Sequence, residues 1–156
     1  MKIFICVLFS LLTINSQASQ FKAGIFPALN YNGELTGVFR IDTVVLLGKD
    51  FFSVGPYVGI HAQTPQVSDT IYGAAIHIGH AYYFEIQGGV LNRTFTQDRT
   101  QKLTGSGMAG NLIFGINLSP SIGIDVVFST KRISEGSLDK RWIYQLLPIF
   151  TLKGEF

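Results

Sequence analysis

The sequence predicts an all-β chain, an eight-stranded antiparallel up-and-down transmembrane β-barrel. Three observations point there. Hydrophobic residues are 47% of the 156 and charged residues only 14%, an apolar balance for a soluble domain. Beyond residue 18, however, no apolar run approaches the roughly 20 residues of a membrane helix. Finally, the C-terminal segment alternates: Trp142, Tyr144, Leu146, Pro148, Phe150, Leu152 and Phe156 take one parity, broken only by Gly154. Arg141, Gln145, Thr151, Lys153 and Glu155 take the other, with Ile143, Leu147 and Ile149 among them. A strand with one face toward lipid and one toward a lumen has this pattern.

Residues 1–18 read as a cleaved signal peptide. Lys2 supplies the positive n-region, Ile3 to Ile14 the apolar h-region, and Ser16-Gln17-Ala18 a small-x-small cleavage site. The apolar stretch is too short for an anchor helix. The barrel domain is then 19–156. The single cysteine, Cys6, lies in the h-region, so the mature chain holds no disulfide or thiolate site. Lys2 leaves with the signal and lowers the formal net charge of +2 by one; so neutral a chain carries no electrostatic case for nucleic acid.

Eight segments follow. Residues 21–31 place Phe21, Ala23, Ile25, Pro27, Leu29 and Tyr31 on one face, and Asn32-Gly33 forms a hairpin turn. Residues 35–47 set Phe39, Ile41 and Val45 against Arg40 and Asp42, and 52–63 set Phe52, Val54, Val58 and Ile60 against Ser53, Tyr57, His61 and Gln63. A loop from Pro65 to Asp69 precedes 70–79, where Tyr72, Ala74, Ile76 and Ile78 oppose Gly73, Ala75, His77 and Gly79. After a tight turn at His80-Ala81, Phe84, Ile86, Gly88 and Val90 oppose Tyr83, Glu85, Gln87 and Arg93. Segment 103–118 shows Met108, Leu112, Phe114, Ile116 and Leu118 against Asn111 and Asn117. Segment 122–131 shows Ile122, Ile124, Val126 and Phe128 against Asp125, Ser129 and Lys131, and a charged loop spans 132–140.

Short turns at Gly48, His80 and Pro120 alternate with longer connections at 64–69, 96–102 and 132–140, the asymmetry of periplasmic turns and outer loops. The short Asn32-Gly33 hairpin departs from it. Outward aromatics are expected in two girdles: Phe21, Phe52, Tyr82 and Phe156 at the periplasmic edge, and Tyr31, Tyr72, Phe128 and Trp142 at the outer edge. No Lys, Arg, Asp or Glu falls in the outward register.

The opposite parity gathers a polar and charged network: Arg40, Asp42, His61, His77, Glu85 and Asp125, with Lys22, Arg93, Lys131, Lys153 and Glu155. Eight strands leave room for little more than side chains, so these charges must pair. The turn at 80–82 sets His77 opposite Glu85; Arg40 and Asp42 share a face two residues apart, with Asp125 and Glu85 as further candidate partners. No nucleophile is placed beside His77, and two histidines at this spacing make no metal site; no catalytic residue, metal or cofactor is assigned.

The pattern resembles the small eight-stranded outer-membrane barrels of the OmpA and OmpX type, over the whole mature chain, in strand count, alternation, girdles and terminal Phe156. Gly154 departs from the apolar residue usual two before the last. The resemblance implies the cell outer membrane of a Gram-negative bacterium, outer-membrane lipids as surroundings, and delivery by the barrel assembly machinery through the strand ending at Phe156. A soluble lipocalin-like barrel shares the alternation with its apolar face inward, and parity alone does not choose between them. The girdles, Phe156 and the lack of cysteine favour the membrane version.

The stretch from Ser121 to Thr130 is also distantly similar to the PagL lipid A deacylases. That family carries His-x-Ser on this strand and a Glu beyond it; here Phe128 and Thr130 stand at the two positions, and Glu135 matches the Glu only loosely. The expected function is therefore a non-enzymatic barrel with a plugged polar lumen and a structural or interaction role, with a degenerate lipid A hydrolase as the alternative and a narrow pore third. Arg99, Lys102, Arg132, Lys140 and Arg141 are candidate contacts for lipopolysaccharide phosphates.

Overall fold

The computed structural model describes residues 19–30, 33, 35–49, 51–64, 66–96, 101–119 and 121–152, with backbone alone for 19–26, 49, 64 and 152. Residues 1–18, where a signal peptide is expected, and Tyr31, Arg99, Lys153, Glu155 and Phe156 lie outside these residues, as do the side chains of Phe21 and Lys22. Among the described residues, nine strands form one antiparallel sheet: β1 (Ser19–Asn30), β2 (Leu35–Val45), β3 (Leu47–Lys49), β4 (Phe52–Thr64), β5 (Val67–Gly79), β6 (Tyr82–Thr96), β7 (Lys102–Ser119), β8 (Ile122–Gly136) and β9 (Arg141–Leu152). The order β2-β1-β9-β8-β7-β6-β5-β4-β3, with β2 also paired to β4, closes the sheet into a ring.

The count exceeds the expected eight because the second strand is interrupted at Leu46. β2 pairs with β4 through Val44↔Tyr57 and β3 through Leu47↔Val54, which is one unshifted register. Val45 and Leu46 therefore face Pro56 and Gly55. Proline has no N–H to donate, so the ladder loses its rungs there and resumes three residues on. A Cβ on Gly55 would fall on the Val45 carbonyl oxygen, which shows how closely the two lines still approach.

Two strands are longer than their composition suggests. β5 begins at Val67, so Ser68 and Asp69 are paired with Ala62 and His61 rather than looped out. β8 runs to Gly136, with Ile133 against Gly107 and Glu135 against Ser106 across a bulge. The charged connection shrinks to 137–140. Leu138 of this hairpin folds back, within 3.2 Å of where a Gly105 Cβ would sit. Backbone pairing and this apolar plug outweigh the polar composition of the segment.

These extensions correct the outer girdle. Tyr72, paired with Val58 and Val90, and Phe128, paired with Leu112 and Leu146, stand in the middle of their strands; Trp142 alone of the described set stands near a strand end. Arg132 is corrected too. It lies on β8 opposite Trp142, exposed on the outer face, so that face does carry a cation toward this end.

The inward and outward parities fall as read. Val54, Val58, Ile60, Ile76, Ile86, Phe114, Ile124 and Val126 are exposed, whereas Arg40, Asp42, Tyr57, His61, His77, Glu85, Asn111, Asp125 and Lys131 are buried. The interior also holds two apolar groups, one around Ala28, Val38, Tyr83, Ile113, Val127 and Leu147, the other around Val44, Leu46, Ile71, Leu91 and Ile133. The ring is thus apolar outside and mixed within. Toward the β6–β7 hairpin the outer positions turn polar at Asn92, Thr94, Thr104 and Ser106, so β6 and β7 project beyond the apolar band.

Candidate functional site: the charged interior

Asp42 is the hub of the first cluster. Its Oδ2 pairs with the Arg40 Nε, two residues away on the same face of β2. Its Oδ1 accepts from the Tyr57 hydroxyl (2.8 Å) and meets His61 Nε2 (2.9 Å), both on the neighbouring β4. Asp42 and Gly59 are direct ladder partners, and a Cβ on Gly59 would collide with the Tyr57 hydroxyl and lie 2.8 Å from Asp42 Oδ1. Only the bare backbone leaves room for the phenol to lie across it.

Arg40 then reaches across the ring, its Nη2 donating to Gln87 Oε1 (3.2 Å) on β6. Gln87 Nε2 donates to Glu85 Oε1 (2.5 Å), and Glu85 Oε2 meets His77 Nδ1 (3.2 Å). The expected His77↔Glu85 rung is present. Asn111 Nδ2 lies between Gln87 Oε1 (2.8 Å) and the Tyr57 hydroxyl (3.3 Å); with its amide turned over it reaches Ser129 Oγ (2.8 Å) and accepts from Arg40. One hydrogen-bonded chain thus runs from His77 through Glu85, Gln87, Arg40 and Asp42 to His61.

Asp125 is not brought to Arg40. It accepts from the Tyr83 hydroxyl and from Thr151 Oγ1 (2.7 Å). Here Gly115 repeats the device seen at Gly59: it faces both Tyr83 and Asp125 in the ladder, and its Cβ would strike the Tyr83 ring and lie 2.5 Å from Asp125 Oδ1. We expect Gly115→Ala to destabilise the folded chain by about 1–3 kcal/mol, the usual range for overpacking. Urea titration of the folded protein in detergent checks this; an unchanged midpoint would show that Tyr83 does not need that space.

A second charge cluster is one that sequence reasoning missed. Asp69 accepts from Arg93 Nε (2.6 Å) and Nη2 (2.7 Å) and from Lys131 Nζ (2.7 Å), with all three residues at most 3% exposed. Reading 64–69 as a loop hid the carboxylate. The signal was available, because the register that sets His77 against Glu85 also sets Asp69 against Arg93.

Further contacts cross the interior between strands that are not neighbours: Tyr57 to Asn111, Lys131 to Asp69, and Gln63 Nε2 to Gln145 Oε1 (3.1 Å). The last continues through Gln145 to Asn30 (2.9 Å) and Asn30 to Thr36 (3.1 Å). Every carboxylate named here has a donor, as buried charge requires.

No family model, curated protein or solved structure matches the chain.

Ser53 stands opposite His77 in the ladder, so Ser53, His77 and Glu85 occupy one row in the order of a nucleophile, base and acid. Ser53 makes no hydrogen bond to the imidazole, which instead stacks on Tyr83 at 4.7 Å. On the outside of β8, Phe128 and Thr130 share a surface groove, and no imidazole is among its lining residues. The Thr130 hydroxyl has no general base there. Of the outer cations, Lys102 opens β7, Arg141 opens β9 and Lys140 precedes it, all exposed at the end carrying the β6–β7 and β8–β9 hairpins. Arg132 lies on the outer wall with its guanidinium 5.4 Å from the centre of the Trp142 ring.

Proposed function

We propose that this chain is an eight-stranded transmembrane β-barrel of the outer membrane of a Gram-negative bacterium, with β2 and β3 forming a single barrel strand. Its role is structural or interactive at the cell surface, without catalysis, around a lumen plugged by polar side chains. One observation carries the reading. The face exposed around the ring is the apolar one, from Val54 and Ile60 through Ile76 and Ile86 to Phe114, Ile124 and Phe150, while the ion pairs are enclosed. A soluble ligand-binding barrel has the reverse arrangement. So large a contiguous apolar surface needs a partner, and a hydrocarbon layer covers all sides of a ring at once.

The signal segment at 1–18 and the strand alternation up to Phe156 agree with export and with assembly by the outer-membrane insertion machinery. Lys102, Lys140 and Arg141, at one end of the ring, and Arg132 just below them suit the phosphates of lipopolysaccharide, as Arg99 does from its sequence position. The lumen contacts that join non-neighbouring strands favour the plugged reading over the narrow pore. Fractionation tests the proposal. The protein should remain with outer-membrane vesicles after a urea wash and migrate differently when unheated; release into the soluble fraction would refute it.

A further inference from the structure

The ring is not sealed equally at every junction. β1 registers with β2 from Ser19↔Val45 to Leu29↔Leu35, and β9 with β8 from Ile122↔Leu152 to Ile133↔Arg141. Between β1 and β9 themselves the described residues pair in two rows only, Leu29↔Leu146 and Asn30↔Gln145. Both strands continue past these rows, β1 back to Ser19 and β9 forward to Leu152, with no ladder between them.

The sequence at this junction supplies a reason. Carried two residues on, the register of Leu29 and Leu146 sets Pro27 opposite Pro148. Each proline keeps its place in the ladder on its other side, Pro27 with Gly37 and Pro148 with Val126, so each imide nitrogen is turned to the seam. Two residues that cannot donate therefore face each other, and neither reciprocal bond of that row can form. The β2–β4 junction shows the milder case. Pro56 alone interrupts the rows at Val45 and Leu46, and pairing resumes at Leu47. At the seam it does not resume.

Side chains shut the seam instead. At the paired end Gln145 Nε2 donates to Asn30 Oδ1 (2.9 Å), and Gln63 Nε2 from β4 donates to Gln145 Oε1 (3.1 Å). Past the two rows, Ala28 of β1 shares an apolar group with Leu147 and Ile149 of β9, and Ala28 and Leu147 are 0% and 1% exposed. Such packing is non-directional, so the strands can part here at the loss of apolar contact alone, whereas parting β8 from β9 breaks a full run of backbone bonds. We infer that the β1–β9 seam is a lateral gate, hinged at the Asn30–Gln145 clasp, that opens the apolar interior around Leu147 to the hydrocarbon outside. Calling the outside hydrocarbon rests on the membrane-barrel reading; the opening itself does not. Segments that move belong to the part of a fold where few bonds must break, and this junction has the fewest rows of the ring's long strands.

Two thiol measurements on the folded full-length protein in detergent test the gate, in a Cys6→Ser background that holds no other cysteine. The first compares N-ethylmaleimide labelling of Leu147→Cys with that of Ile71→Cys, an equally buried position on β5 with ladders on both sides. Leu147→Cys should label at least roughly tenfold faster, and adding Pro27→Val with Pro148→Val, which restores both donors, should slow it to the Ile71→Cys rate. The second compares oxidation of Ile25→Cys/Phe150→Cys, two residues beyond the prolines, with Ile124→Cys/Phe150→Cys, a rung of the β8–β9 ladder. The seam pair should cross-link more slowly than the ladder pair, and the two valines should bring the rates together. Labelling of Leu147→Cys no faster than of Ile71→Cys, or a seam pair that oxidises as fast as the ladder pair without the valines, would overturn the gate. Failure of the parent to associate with membranes would instead remove the barrel reading, and the same two rates would still decide whether the seam opens.

Discussion

Asp69→Leu is expected to lower the stability of the folded chain by about 3–5 kcal/mol, the range for removing one partner of a buried ion pair. Asp69 is the only described carboxylate touching Arg93 and Lys131, which are themselves 3% and 1% exposed. Deleting it strands two cations on β6 and β8 inside the ring, and neither has an interior alternative in the observed geometry. Replacing all three together, Asp69→Leu with Arg93→Met and Lys131→Met, should recover most of the loss, because an apolar set of similar volume carries no uncompensated charge. Urea midpoints in detergent give both comparisons. If the single variant is as stable as the parent, water reaches this cluster and the interior is not closed there.

Ile76→Arg is expected to impair insertion, at a cost of about 2–4 kcal/mol if the position lies near the bilayer midplane. Ile76 is outward and exposed on β5, between Val54 and Ile86 in its ladder row, so a cation there has only apolar neighbours. Asn92→Arg is the matched control. Asn92 is also outward and exposed, but lies where β6 has passed into its polar section beside Ser106 and Thr70. Folding yield into vesicles should fall for Ile76→Arg and stay near the parent for Asn92→Arg. Equal yields would mean that the outer face does not meet hydrocarbon.

The residue alternation was legible because its period matches the pleat, and a period-two pattern fixes relative facing without any knowledge of neighbours. It placed Arg40 with Asp42 and His77 with Glu85, and the structure joins both pairs. It did not show which face is inside, since the same parities describe a soluble barrel and its inverse. Strand ends were the weak point. Where β5 and β8 extend to Ser68, Asp69 and 132–136, polar residues occupy paired positions, and composition there resembles that of a loop. One consequence was the loss of Asp69; another was placing Tyr72 and Phe128 at an edge when they lie mid-strand. The glycines that admit Tyr57 and Tyr83 were also invisible, because a close approach between a phenol and a backbone belongs to the closed ring and not to any one segment.

The chain contains one tryptophan, and it sits where the central claim can be read directly. Trp142 is outward, 54% exposed, stacked at 6.0 Å on Tyr144 and adjoining Arg132 near the start of β9. The measurement is its fluorescence in vesicles of brominated phospholipids, with bromine near the headgroup or deep in the chain. A transmembrane barrel predicts strong quenching by the shallow label, weaker quenching by the deep one, and little by aqueous iodide. Quenching by iodide alone, with neither brominated lipid effective, would contradict the account.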